Sequence, residues 1–294
     1  SRILATFAIA AALAAPAAPV SAAVFQPNRV SYDLGKINQD NGDDLAMFSI
    51  RPELVHGNVT AVVGINLLFD KEFRLRDNGN DTVVLESFDL NRERLKLHYG
   101  DIEDLTLGRG FVVDHYYSNI QNNVQTNEDK GIVVDVNNKK SRITAAAAFN
   151  HLVAARAERN LGRVTLGATM ALDSDPDLEE YAIDAKWKLV PERWSAYYEI
   201  ADIVHAGNGF VLGSAITPMP KVDLTFTGEY RKFDSDFAPG LVDEHYEAKP
   251  LLPGIKTNTP GKVDGYYFAA DYASGKNTSI KVFYEDYEAA HTRG

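Results

Sequence analysis

Apolar and polar side chains alternate with a period of two along most of this chain. From Val59 to Asp70 the odd positions are Val59, Ala61, Val63, Ile65, Leu67 and Phe69, while the even ones include Thr60, Gly64, Asn66 and Asp70. Successive side chains of a strand point to opposite faces, so this segment has one wholly apolar face. The same split recurs at Arg163–Asp173, Glu180–Leu189 and Lys221–Arg231. In the third of these segments Tyr181, Ile183, Ala185, Trp187 and Leu189 oppose Glu180, Asp184, Lys186 and Lys188. Weaker examples lie at 30–37, 45–54, 83–90, 93–99, 105–113, 131–136, 142–152, 194–203, 209–217, 263–272 and 278–287. The pattern predicts about fifteen strands and no helix longer than two turns.

The connections alternate as well. His56-Gly57-Asn58, Leu90-Asn91-Arg92, Pro191-Glu192, Pro218-Met219-Pro220 and Ser274-Gly275-Lys276 are tight, whereas 38–43, 71–81, 173–178, 204–208 and 233–262 are longer. Brief turns at one end and extended loops at the other are the stringing of outer-membrane barrels. One stretch, Asp114 to Lys130, is long yet falls on the brief side. It implies either a miscounted strand or a segment folded into the lumen.

Strands with one apolar and one charged face suit a soluble sandwich, with the apolar face inward, or a membrane barrel, with that face toward lipid. The strong strands run about ten residues, enough to cross a bilayer when tilted. Their polar faces mix both charge signs with Gly, Thr and Ser, as a wall beside water requires. Tyr181, Trp187, Trp194, Tyr230, Tyr266 and Tyr272 lie near strand ends, where amphipathic rings favour the headgroup level. The expected fold is therefore an all-β, antiparallel up-and-down transmembrane β-barrel of about 14–16 strands. Single-chain bacterial barrels have even strand counts, and 288–294 lacks further alternation or a terminal aromatic. A last strand is thus expected beyond Gly294.

Composition removes several alternatives. The 294 residues contain no cysteine, which excludes disulfides, thiolate metal sites and cysteine nucleophiles. A net charge of -11 and pI near 5.1 argue against nucleic acid as a partner, because such binders need a clustered basic surface. The segment Ile3 to Val20 is rich in Ala, Ile and Leu, follows Arg2 and ends in Val20-Ser21-Ala22-Ala23. It reads as a secretory signal peptide cut after Ala22 or Ala23, giving a signal peptide at 1–22 and a barrel domain at 23–294.

The stretch Phe48-Ser49-Ile50-Arg51-Pro52-Glu53-Leu54, then Tyr99-Gly100-Asp101-Ile102 and Leu105-Thr106-Leu107-Gly108-Arg109-Gly110, followed by Asp114 and Tyr117-Ser118-Asn119, resembles uncharacterised porin-like outer-membrane proteins of diderm bacteria. The resemblance covers about the first two thirds of the mature chain. It implies a barrel in the outer membrane and no particular reaction. Gly108 and Gly110, two apart, share one face of their expected strand, where missing side chains would let an inward-folded loop such as 114–130 rest. The alternative is a pair of bend glycines shaping the wall.

The polar faces of the strongest strands nominate Arg163, Glu180, Asp184, Lys186, Lys188, Asp223, Glu229 and Arg231 as pore-lining residues. Arg109, flanked by Leu107 and Phe111, would cost about 2 to 4 kcal/mol facing lipid at the midplane, so it belongs near an interface or off the lipid face. Acidic runs at Asp40, Asp43 and Asp44, at Asp77, Asn78, Asn80 and Asp81, and at Asp173, Asp175 and Asp177 offer oxygen ligands but complete no calcium loop, and read as solvated turns. Seven scattered histidines, Asp114-His115 among them, come without a nucleophile motif, so no enzymatic activity, catalytic residue, metal or cofactor is expected. The favoured function is passive diffusion of small hydrophilic solutes or ions through the outer membrane, with membrane lipid and lipopolysaccharide as surroundings and a homo-oligomer as a further possibility. The alternative is a non-conducting outer-membrane or secreted β protein presenting loops for adhesion.

Overall fold

The computed structural model describes residues 26–38, 44–76, 83–119, 130–174, 178–219, 222–234, 237–243, 246–247, 263–274 and 278–289. The expected signal peptide and most of the acidic runs near 40 and 80 lie outside these residues. The strands are β1 (Gln26–Asn38), β2 (Asp44–His56), β3 (Val59–Phe69), β4 (Leu75–Arg76), β5 (Val83–Arg92), β6 (Leu95–Asp101), β7 (Leu105–Leu107), β8 (Val113–Tyr116) and β9 (Lys130–Asn137). They continue with β10 (Ser141–Ala148), β11 (Leu152–Asn160), β12 (Val164–Asp173), β13 (Leu178–Val190), β14 (Trp194–Ile203), β15 (Gly207–Ile216), β16 (Asp223–Phe233), β17 (Val263–Ser274) and β18 (Thr278–Ala289).

Fifteen of these strands form one antiparallel meander in which each pairs with the next: β1-β2-β3-β5-β6, then β9 through β18. The short β4 adds to β3, and β7 and β8 pair only with each other. Eleven of the fifteen wall strands run ten residues or more, the length that crosses a tilted bilayer path. Among the described residues no helix is long and apolar enough to cross a membrane, and no pairing joins β1 to β18.

Alternation fixes which way each side chain looks. Along β13, Leu178, Glu180 and Ala182 are buried while Glu179, Tyr181 and Ile183 are exposed. Register carries that parity across the sheet, with Asp184 opposite Glu199 and Ile183 opposite Ile200. The outcome is the inverse of a soluble sandwich. Ile183 is 61% exposed, and Leu166, Leu212, Phe226, Phe268 and Val282 also lie outside, whereas Glu180 is 0% and Glu199 1% exposed. Only an apolar solvent makes such an exterior favourable. The fold is an all-β, up-and-down barrel wall with charge within and hydrocarbon-like side chains without.

Aromatic rings mark both rims of this exterior. Trp187, Trp194 and Tyr272 lie toward the end with tight turns, and Tyr181, Tyr230 and Tyr266 toward the other, all on the outward face. Tyr198, Phe210, Tyr230 and Tyr266 form a ladder across β14 to β17 with ring centroids 5.6–6.1 Å apart. Within the ladder Tyr230 Oη donates to Asp264 at 2.9 Å.

The strand count matches expectation through two errors that cancel. Residues 105–113 were expected as a wall strand, but positive φ at Gly108 and Gly110 breaks the extended run and sends the chain inward. Conversely, 142–152 is not one strand: the wall turns at 149–151, with His151 at φ 106°, and returns as β11. All three longest connections, 70–82, 102–129 and 234–262, now leave from the same end, together with four brief ones. The length exception read at 114–130 disappears.

Candidate functional site

The loop between β6 and β9 enters the barrel. Ile102, Leu107, Phe111, Val112, Val113 and Tyr116 are buried, although the β7–β8 hairpin that carries most of them has no place in the wall. Phe111 lies 6.0 Å from Phe233 and 6.5 Å from Phe237 between ring centroids. Backbone bonds hold a second inward segment to the hairpin: Asp114 N–H donates to the Val242 carbonyl at 2.9 Å, and Gly240 N–H to the Phe111 carbonyl at 2.9 Å. Tyr116 Oη donates to Glu247 at 2.5 Å and Tyr246 Oη to Asp173 at 2.8 Å. Asp173, read from sequence as a solvated turn residue, is instead a buried acceptor.

The wall makes room for this plug. Ala146, Ala148, Ala154, Ala171, Ala182 and Ala201 face inward around it and belong to the same core. Gly108 and Gly110 do not receive a loop on a wall strand, as the sequence suggested. They form the tip of the inward hairpin itself. A Cβ on Gly108 would lie 2.6 Å from Arg156 Nη1, and one on Gly110 2.6 Å from the Asp114 carboxylate. With φ of 69° and 84°, both positions favour glycine on conformational as well as steric grounds.

Arg109, between those glycines, reaches across the lumen. Its guanidinium carbon is 3.2 Å from the centroid of the Tyr197 ring, and Nη2 donates to Glu229 Oε1 at 3.1 Å. Tyr197 also donates to Glu229, which accepts from Arg231 Nε at 2.6 Å. Arg231 spans β16 to β18 by donating to Glu285 and Tyr287, each at 3.1 Å. On the neighbouring wall Arg156 donates to Asp184 at 2.6 and 3.1 Å and to Thr169 at 2.9 Å. These are charge-assisted bonds in a sheltered setting, which are stronger than neutral ones.

At the base of the hairpin Asp104 and His115, both at positive φ, are joined side chain to side chain. The His115 N–H is accepted by Thr106 Oγ1 at 2.9 Å. Burial pushes the Asp114 carboxyl above the usual carboxylate range, with His115 and Lys281 pulling the other way. Burial likewise raises the Tyr116 and Tyr246 hydroxyls beyond their ordinary range, reinforced by the adjacent carboxylates of Glu247 and Asp173.

Beside the plug the lumen stays polar. A cavity of about 690 Å³ lies between residues 101–108 and the inner face of β3 to β11, lined by Glu86, His98, Asp135, Arg142, Arg156 and Glu158 among others. Asp135, Arg142 and Glu158 also line a second cavity of about 530 Å³ at the tight-turn end. Lys188 connects that one to a third of about 510 Å³ bounded by Lys186, Arg193 and Thr225.

Of the residues nominated from sequence, Glu180, Asp184, Glu229 and Arg231 face the barrel interior, and Lys186 and Lys188 border the tight-end cavities. Arg163 and Asp223 do not reach the plug. Arg163 is exposed in the turn before β12, and Asp223 is exposed at the first position of β16. Sequence reading missed Arg156, Tyr197 and Glu199, of which the alternation of β14 already placed Tyr197 and Glu199 opposite the apolar Tyr198 and Ile200. Among the described residues no group of His, Asp or Glu has metal-binding geometry.

No protein-family model matches this chain, and no curated protein matches it. Among solved structures it is similar to a triple mutant of Rh. blastica porin, at 10% identity over 87% of this chain and 94% of that one, with a TM-score of 0.49. It is also similar to Pseudomonas aeruginosa OccK11, at 8% identity over 89% and 88% with a TM-score of 0.41. A loop-deletion mutant of OmpT, an outer membrane protein of Vibrio cholerae, follows at 8% identity over 88% and 94%, with a TM-score of 0.38.

Proposed function

We propose that the protein is a porin-like channel of a diderm outer membrane, passing small hydrophilic solutes or ions without a catalytic step. The observation that carries this reading is a polar cavity beside the inward-folded hairpin that shares charged wall residues with further cavities toward the tight-turn end, inside a wall whose outer face is apolar. An anchored segment sets the cross-section, and charged side chains along the remaining path replace part of a solute's hydration shell. The hairpin and the second inward segment pack against β9 to β18 in the long-loop half, and the polar cavity lies beside them along β3 to β11.

The second reading, a closed barrel that displays loops, draws on the dry core around Phe111 and Val113. Planar-bilayer recording of the refolded protein separates the two. Discrete ion steps support the channel, and a protein that shifts on boiling in a gel, inserts and never conducts supports the closed barrel.

A further inference from the structure

The charges along the wet path are sorted by height, and this carries a consequence beyond passive diffusion while resting on the channel reading. The mid-barrel cavity is lined by six carboxylates, Glu86, Asp101, Glu103, Asp104, Asp135 and Glu158, against two guanidinium groups, Arg142 and Arg156. Both guanidinium groups are already engaged, Arg142 with Asp135 at 2.5 Å and Arg156 with Asp184 at 2.6 Å. Glu86 is met by Arg51 and Asp104 by His115, and Glu103 and Asp104 are the acid that the hairpin segment itself contributes to this cavity.

The cavity in series with it, at the tight-turn end, has the opposite balance. Lys96, Lys139, Lys140, Arg142 and Lys188 face Asp135 and Glu158. The third cavity adds Lys186 and Arg193 against Glu192. Among the described residues Lys96, Lys139, Lys140 and Lys188 enter no ion pair. The tight turns beyond add Arg92, Arg94 and Arg163 against Glu93 and Asp223.

We infer that the lumen is an axial bipolar junction, acidic at mid-barrel and basic at the tight-turn mouth, and that the channel rectifies ionic current. A cavity of about 690 Å³ is roughly 9 Å across, comparable to the screening length of about 10 Å at 0.1 M salt. Wall charge therefore governs which ions fill each compartment. When the long-loop side is positive, cations move through the acidic compartment and anions through the basic one toward their junction, and carriers accumulate. With the sign reversed both are drawn out and the junction depletes. Cationic solutes are accordingly favoured from the long-loop side and anionic solutes from the tight-turn side.

The test is the current–voltage curve of single channels in planar bilayers at 0.1 M and 1 M KCl. The expected current ratio between +100 and -100 mV is about twofold at 0.1 M and near one at 1 M, where the screening length shrinks to about 3 Å. Because the chain has no cysteine, a K139C variant gives a single thiol at the basic mouth. An anionic, membrane-impermeant thiosulfonate added to one chamber then reports orientation and reverses one mouth charge, and the ratio should fall. The double variant E103Q/D104N should lower it from the acidic side. A linear curve at 0.1 M overturns the inference while leaving the channel intact. So does rectification that survives 1 M salt or both charge changes, since its origin would be shape alone. If no steps are seen at all, the channel reading falls and the junction with it.

Discussion

Removing the Arg109 side chain tests whether the hairpin is latched to the far wall. In Arg109→Ala two contacts are lost: the stack on Tyr197, itself 1% exposed, and the bond to Glu229. A desolvated cation–π contact is worth about 2 kcal/mol. A hydrogen bond to a charged group contributes about 1.5 kcal/mol at the low end of its range, appropriate here because Glu229 keeps Arg231 and Tyr197 as partners. The sum, roughly 3.5 kcal/mol, corresponds to about a three-hundredfold shift in the ratio of docked to undocked hairpin, at 1.4 kcal/mol per tenfold. Amide exchange reads this directly, because the Asp114 N–H bond to Val242 and the Gly240 N–H bond to Phe111 join the hairpin to the second inward segment and form only while it is seated. Both amides should exchange about three hundredfold faster, single-channel current should become larger and noisier, and wall-strand amides and heat-modifiable migration should not change. Arg109→Lys, which keeps the charge but loses the planar stack, should fall between. Exchange at both amides within twofold of the unmodified protein would refute the latch and assign the anchoring to the Phe111 cluster.

Three further outcomes follow from the same geometry. Glu180 is fully buried and neither of its carboxylate oxygens has a partner, so Glu180→Leu should raise stability by about 1 to 3 kcal/mol, measured as a higher urea midpoint in lipid vesicles. On the outer face Ile183→Lys should cost about 2 to 4 kcal/mol in the same assay, and a cost below 0.5 kcal/mol would contradict lipid exposure of β13. The third concerns pH. Asp114 is held above the ordinary carboxylate range by burial, so seating of β8 is strongest below the unfolded-state value and weakens as pH rises through the folded one. Amide protection of β8 should therefore decline with rising pH, after correction for intrinsic rates, and Asp114→Asn should flatten that profile.

Much of the wall was legible because a membrane strand repeats one rule for ten residues or more, as in β12, β13 and β16. Legibility failed where that rule was diluted. In β11 the outward positions Val153, Ala155 and Ala157 are small and two inward ones are Ala154 and Arg156, so the alternation nearly vanishes. At 105–113 the sequence Leu-Thr-Leu-Gly-Arg-Gly-Phe-Val-Val alternates at its start, and only the two glycines signalled a turn. Their role was missed because a glycine pair two apart reads equally as a flat face in a strand and as a hairpin tip. The pore-lining nominations followed parity alone, which gives the face but not the height, and so Arg163 and Asp223 were placed inside when they stand at the rim. Partners brought together over long separations, such as Arg109 with Glu229 or Tyr246 with Asp173, leave no local trace in the sequence.

Height along the strand also explains how a dry core and a wet path share one lumen. The inward positions of β10 to β14 are not uniform: alanine occupies the long-loop half at 146, 148, 154, 171, 182 and 201, while Arg142, Arg156, Glu158, Asp184, Lys186 and Lys188 occupy the middle and the tight-turn half. Small apolar side chains leave space that only an apolar body can fill without loss, because a void or an ordered water there would forfeit contact. The hairpin supplies that body with Leu107, Phe111, Val112 and Val113 on one side, and presents Glu103 and Asp104 on the other. A segment so divided has one stable seat, its apolar side against the alanines and its acidic side toward water, and turning it around would bury two carboxylates at several kcal/mol each. The position of the constriction is thus set by which wall strands carry alanine, and the sign of charge in the remaining path by which face the hairpin leaves free.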